Sequence, residues 1–190
     1  MNNTIDLQKL VLASLLAALI AVGGYIAVPI GPVPIVLQNL FVLVAALLLG
    51  ARWGAAAVAV YLLAGACGLP VFAGGGGGIG HLFGPRGGYL FGFLVAAWVV
   101  GAISEASRRQ PIMEIAAMRL GSLVVYAIGV PWLKTLLGLS YAKALAVGMY
   151  PFIIGDLIKI AAAFAIVKSV RPLLRQAPTP VRQTPTGMGR

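Results

Sequence analysis

Asp156 and Lys159 are the residues of this chain best suited to chemistry. They stand three apart inside an apolar run that continues to Val167. The other acidic residues, Asp6, Glu105 and Glu114, fall at the ends of apolar runs; Asp156 alone is embedded. An ionisable group at membrane depth is costly, so it pairs and marks function. Positions i and i+3 share a helix face. Asp156 and Lys159 are therefore expected to point together into one cavity, an acceptor-only carboxylate beside a donor-only ammonium. The structural alternative is an ion pair that only glues helices. Small residues pack helices at less cost, which favours a ligand-binding role.

Composition says what must position that pair. Of 190 residues, 61% are hydrophobic and 9% charged, against roughly 25% charged in a soluble domain. The chain reads as an all-α, polytopic membrane protein. At roughly 20 residues per span, its length allows about six helices joined by short loops. The first apolar run, Leu10 to Val28, is too long for a signal-peptide core and reads as the first helix. The net charge of +10 is a topology signal at span ends rather than a nucleic-acid footprint. One cysteine, Cys67, and one histidine, His81, speak against a disulfide, a metal site or a His-based catalytic site.

The predicted helices run as follows. The first covers about Leu7–Val28, with Ala13, Ala17 and Ala21 as a small-residue stripe suited either to docking a partner helix or to internal packing. A stiff loop, Pro29–Pro34, follows. The second covers Ile35–Gly50, with Gln38 and Asn39 in its first turns, placed either to line a polar cavity or to bond to neighbouring helices, and the third about Gly54–Leu69. Gly74–Gly88 is then glycine-rich but carries Ile79, Leu82 and Phe83, so an ordered loop over a cavity is expected rather than a linker. The Gly-Lys-Ser/Thr of a phosphate loop is absent from it. The fourth helix covers about Tyr89–Ser107 and the fifth about Met113–Gly129, ending near Pro131, with Trp132 as an interfacial anchor. Part of Leu133–Val147 is expected along the membrane surface. The sixth helix covers about Val147–Val170, which puts Asp156 roughly 14 Å from its outer end. Residues 1–175 thus form one transmembrane domain, and 176–190, rich in Pro, Thr and Gln, is expected to be a disordered cytoplasmic tail.

Charge sets the orientation. Six spans put both termini on one side, together with Lys9, Arg52, Arg108, Arg109, Arg119, Lys168, Arg171, Arg175, Arg182 and Arg190. The other side holds only Arg86, Lys134 and Lys143. The basic excess places both termini in the cytoplasm. The proline loop, the glycine loop and the start of the last helix then converge on an outward-facing pocket, as capture of a small solute would require.

Four segments taken in order resemble the BioY family, the biotin-binding S components of energy-coupling-factor (ECF) transporters. They are Gly31-Pro-Val-Pro-Ile-Val-Leu-Gln-Asn39, Gly68-Leu-Pro-Val-Phe-Ala-Gly-Gly75, Gly84-Pro-Arg-Gly-Gly-Tyr89 and Pro151-Phe-Ile-Ile-Gly-Asp-Leu-Ile-Lys159. The resemblance implies a six-helix fold in the plasma membrane and high-affinity biotin binding. It also implies a transmembrane T component with two ATPase subunits, the first of which contacts the stripe Ala13, Ala17 and Ala21. The chain itself is then neither an enzyme nor a cofactor protein. Two departures stand out. Arg86 occupies a position where family members commonly have a small or polar residue, and Gly74–Gly78 lacks the polar side chains of some relatives.

The resemblance gives the candidate residues their roles. Biotin's ureido ring offers two N–H donors and a carbonyl, which match Asp156 and Lys159 in charge-assisted hydrogen bonds. Gln38 adds a polar group, and Phe72, Tyr89 and Tyr150 are candidate walls for the thioether ring. Arg86, or backbone N–H groups around Gly74 and Gly75, would hold the valerate carboxylate. The rivals are another small solute, an ion channel built on Asp156 and Lys159, and an intramembrane hydrolase. The hydrolase would need a Ser–His or paired-carboxylate constellation in its spans, and the sequence has neither.

Overall fold

The computed structural model describes residues 3–28 and 32–176. Its helices are α1 (Asn3–Tyr25), α2 (Gln38–Ala66), α3 (Ile79–Leu82), α4 (Gly87–Ala106), α5 (Pro111–Leu137), α6 (Tyr141–Gly148) and α7 (Ile153–Gln176). Five segments are long and apolar enough to cross a membrane. One of them, α2, is broken at Gly50, whose φ of +82° and ψ of −174° are not helical. Only glycine adopts that conformation without strain.

The break reverses the chain. A Cβ on Gly54 would lie 2.8 Å from the Cα of Ala46, two positions about 12 Å apart along a straight helix. Helix α2 is thus two arms, 38–49 and 51–66, and these correspond to the second and third helices read from sequence. With α1, α4, α5 and α7 they make a bundle of six long helices.

The first arm is the centre of the bundle. Val42, Val44, Ala45, Ala46 and Leu47 are all buried, so it presents apolar side chains in every direction. At about 18 Å it is shorter than the roughly 30 Å hydrocarbon core; neighbouring helices, not lipid, surround it. Helix α1 covers it with Ala13, Leu16, Ala17 and Ile20, the i, i+3, i+4, i+7 stripe of an amphipathic contact. On the other side α4 packs against α2 and α5, and α7 closes against α2. The outward faces carry exposed Leu7, Val11, Leu15, Trp98, Leu123 and Ile158, as a lipid-facing surface must.

Several boundaries differ from the expected ones, among them the start of the second helix, which lies at Gln38 rather than Ile35. The first helix ends at Tyr25; Ala27–Val28 instead pairs antiparallel with Ile35–Val36. This brings the start of α2 back onto the end of α1, on either side of Pro29–Gly31, which lie outside the described residues. The fifth helix does not stop at Pro131 but continues to Leu137. Proline within a membrane helix is tolerated where neighbouring helices hold the chain: Pro131 lacks its own N–H and leaves the Ala127 carbonyl without its helical donor, but α4 packs along α5. Gly138, at φ +62°, ends the helix. The expected surface segment Leu133–Val147 is therefore divided between α5 and α6. The last long helix begins at Ile153, not Val147, after a 3₁₀ turn at Tyr150–Phe152. Gln176 is its final residue, and the rest of the expected disordered tail lies outside the described residues.

At the end of the bundle away from Asp156, a second polar cluster ties four helices. The break at Gly50 leaves carbonyls at the end of the first arm without helical partners. Arg171 of α7 donates to one of them, Leu47 O, at 2.9 Å. Its guanidinium also pairs with Glu114 of α5, at 2.7 and 3.3 Å to the two carboxylate oxygens. Ser104 of α4 donates to Glu114 Oε1 at 2.7 Å.

Candidate ligand-binding site

A cavity opens where the start of α2 meets α4, α5 and α7. Its floor and walls are apolar: Val42 and Leu43 from α2, Leu90 and Phe93 from α4, Val125 from α5, and Phe152. Val33, Pro34 and Val36 of the proline loop border it on one side, and Phe72, Ala73, His81 and Arg86 of the glycine-rich segment on another. Gln38, Asn39, Tyr126, Asp156 and Lys159 bring polar groups into this lining. A mostly apolar concavity with a few convergent polar groups is the usual form of a small-molecule site.

Those polar groups meet on one carboxylate. Asp156 lies in the first turn of α7, nearer the helix start than the sequence reading had it. The free N–H groups and positive dipole end of a helix favour a carboxylate there. Lys159 follows one turn on, its Nζ 3.4 Å from Asp156 Oδ1. Asn39 Nδ2, from α2, donates to the same oxygen at 2.7 Å. The Tyr126 hydroxyl, from α5, donates to Asp156 Oδ2. Asp156 and Lys159 are 6% and 5% exposed, so the pair is buried as expected. Three helices are thereby fastened to one side chain. The Oδ1 of Asn39 is buried and has no hydrogen-bond partner among the described residues. Gln38, also buried, donates to the Tyr61 hydroxyl at 2.5 Å.

Most of the other candidates converge on the cavity. Phe72 lines it and packs edge-on against Tyr61, ring centres 5.6 Å apart. Tyr89 lines it too, its hydroxyl donating to Gly148 O at 2.9 Å. Arg86 ties the two loops together, donating from Nε to Pro32 O at 3.2 Å and from Nη1 to Ala73 O at 3.4 Å. The glycine-rich segment is folded, as expected of an ordered loop: Phe72 bridges to Gly76, and Trp132 donates to Gly84 O at 3.0 Å.

Some candidates lie elsewhere. Tyr150 is 58% exposed and is not part of the cavity wall. A 3₁₀ turn advances three residues per revolution, so positions 150 and 152 face different ways, and Phe152 takes the wall. Gly74 and Gly75 do not line the cavity either. Both have positive φ, +77° and +79°, and they lie against the end of α1: Gly74 N donates to Gly24 O at 3.2 Å, and Tyr25 is the nearest side chain to Gly75. On α1, Ala13 and Ala17 are buried and Ala21 is half-buried against α2. The stripe serves internal packing, and the exposed small residues of that helix are Ser14 and Ala18.

Sequence reasoning passed over Tyr126 entirely and left Asn39 between lining a polar cavity and bonding to a neighbouring helix; it does both. A signal for Tyr126 existed: Gly121, Ser122, Val125 and Tyr126 all line the cavity, at the i, i+1, i+4, i+5 spacing of one helix face. Nothing local says which face of α5 turns inward.

The BioY family model matches residues 1–176. The chain belongs to the BioY family. Among curated BioY proteins, the biotin transporter of Thermotoga maritima is 42% identical over 167 residues, covering 88% of this chain and 98% of the relative. The biotin transporter BioY of Rhizobium etli is 40% identical, covering 86% and 92%. A crystal structure of the S component for biotin from an ECF-type ABC transporter superposes with a TM-score of 0.84 at 30% identity, covering 90% of this chain and 95% of that one. This BioY chain is a multi-pass membrane protein with the S-component fold.

Proposed function

We infer that this chain is the biotin-binding S component of an ECF-type ABC transporter and serves biotin uptake. The observation that carries the reading is the Asn39–Asp156–Lys159–Tyr126 cluster, buried in an otherwise apolar cavity of a BioY chain. Biotin has the matching polarity. Its ureido head carries two N–H donors and a carbonyl, its thioether ring is apolar, and its tail ends in a carboxylate. The head belongs at Asp156 and Lys159: the carboxylate accepts, and Lys159, with one N–H directed at Asp156, has others for the carbonyl. Phe72, Tyr89, Phe93 and Phe152 supply the wall for the ring. Arg86 uses two of its five N–H donors on loop carbonyls and has the rest for the tail carboxylate, beside His81.

Partners and orientation follow from the same reading. A T component and two ATPase subunits supply the energy, and ATP hydrolysis takes place on them. The T component meets the exposed face of α1, where Ser14 and Ala18 permit close helix approach. The chain sits in the plasma membrane with its cavity open to the outside. The cavity end carries Arg86, Lys134 and Lys143, and the opposite end carries Arg52, Arg108, Arg109 and Arg171, so the basic excess lies on the cytoplasmic side.

Equilibrium dialysis of purified, monodisperse protein tests the ligand. Biotin and desthiobiotin, which share the ureido head, should bind; lipoate, an apolar disulfide ring with the same kind of acidic tail, should not. Absence of biotin binding in well-folded protein sinks the reading.

A further inference from the structure

The end of the bundle where the cavity opens carries positive charge without a counter-charge. Arg86 borders the cavity itself. Lys134 follows Leu133, which packs with Val33, Tyr89 and Phe152 of the cavity wall. Lys143 stands on α6, between Tyr141, whose ring centre lies 4.5 Å from the Lys134 ammonium, and Gly148, whose carbonyl accepts from the Tyr89 hydroxyl. Among the described residues no carboxylate pairs with Arg86, Lys134 or Lys143. Asp156, the acidic residue nearest to them, is balanced by Lys159. The chain's other acidic residues lie at the far end: Glu114 with Arg171, Glu105 against the Gly50 break, and Asp6 near the start of α1, whose last turn touches the glycine-rich segment. Orientation gains nothing from lysines on the outer side.

We propose that Arg86, Lys134 and Lys143 form an electropositive rim that steers anionic ligands into the cavity, so that a ligand's carboxylate sets its rate of entry. The proposal rests on the biotin reading above, which makes the ligand an anion. Charge of one sign around an apolar, low-dielectric opening focuses its field and raises the local concentration of the opposite ion. Lys134 and Lys143 need not touch the ligand to do this. Rim charge acts on association and on its salt dependence, whereas buried contacts act on dissociation. A solute with the same head and ring but no charge enters at the unassisted rate.

Rapid-mixing kinetics test this, with purified protein in uncharged detergent and with biotin and biotin methyl ester as the two probes. The screening length shrinks from about 30 Å at 0.01 M salt to about 3 Å at 1 M. Over that range the association of biotin should slow by about tenfold, and that of the ester by less than about twofold. Lys134→Gln combined with Lys143→Gln should take up biotin about threefold more slowly than wild type at low salt and at the wild-type rate at high salt. Its dissociation rate should be unchanged. Lys143 is exposed, so Lys143→Gln and Lys143→Glu give a second, graded series, with the charge reversal the slower. That series decides if loss of the Lys134–Tyr141 contact unfolds α6. Equal association rates in wild type and variants at low salt overturn the proposal, and so does a salt dependence shared by the ester. Variants that change only dissociation overturn it too and leave the lysines shaping the rim. Failure of wild type to bind biotin at all is a different result, and it removes the biotin reading itself.

Discussion

Asn39 and Asp156 are 117 positions apart in the chain, and a 2.7 Å hydrogen bond joins them. That bond connects the start of the central helix arm to the start of the last helix. It makes the proposed binding group Asp156 a structural one as well, because three donors lose their acceptor together if the carboxylate goes. Asp156→Asn should therefore lower biotin affinity by roughly ten- to a hundredfold, the loss of a charge-assisted bond. It should also lower the melting temperature, since breaking a buried pair costs about 3–5 kcal/mol. Lys159→Met should weaken binding similarly. Titration of the monodisperse fraction of each variant separates the two effects; wild-type affinity in both would take the pair out of the site.

Arg86 is expected to act on the tail of the ligand and on the loops at once. Arg86→Ala removes its bonds to Pro32 O and Ala73 O and its remaining N–H donors. Biotin affinity should drop about tenfold or more, and dissociation should quicken. Biotin methyl ester, which lacks the charge, should lose much less. If acid and ester lose equally, Arg86 is only a tie between loops.

On α1, adjacent alanines should behave oppositely. Ala17 is 6% exposed against the core, so Ala17→Leu overpacks it and should cost about 1–3 kcal/mol of stability. Ala18 faces outward. Ala18→Trp should keep biotin binding and abolish ATP-driven uptake in cells that contain the partner subunits. Normal uptake by Ala18→Trp would move the docking surface to another helix.

The Glu114–Arg171 cluster should be a stability element independent of the ligand. Arg171 stands twelve residues beyond Lys159, about 18 Å along α7. Arg171→Met leaves Glu114 buried without its counter-charge and should cost about 3–5 kcal/mol, read as a lowered melting temperature. Biotin affinity in the folded fraction should stay at the wild-type value, and a matching loss of affinity would show the two ends to be coupled.

Orientation is checked with single cysteines in a Cys67→Ala background. Ser140→Cys, in the turn before α6, should react with an impermeant maleimide on intact cells. Gln110→Cys, in the turn before α5, should react only after lysis. The reverse pattern would invert the protein and close the cavity to the outside.

The sequence by itself determined the class and the organising pair. Hydropathy fixes which stretches leave water, and a membrane forces such stretches into helices because their backbone groups have no other partner. An Asp and a Lys one turn apart in an apolar run must share a face. The four BioY-like segments are local strings and were readable as such. Loop order was also legible, since prolines and glycines act on their own residues.

Tertiary structure decided which faces turned inward. The alanine stripe of α1 read equally well as a docking or a packing surface. It packs because α2 needs a smooth, close neighbour, and only the assembled bundle shows that need. Tyr126 was not visible as a site residue because its role depends on the rotation of α5 relative to α7. Phe152 lines the cavity where Tyr150 was expected, because a single 3₁₀ turn rotates one outward and the other in. Pro131 did not break its helix because α5 is held along its length by α4. These outcomes depend on how whole elements pack and turn against one another, and a local sequence pattern does not contain that.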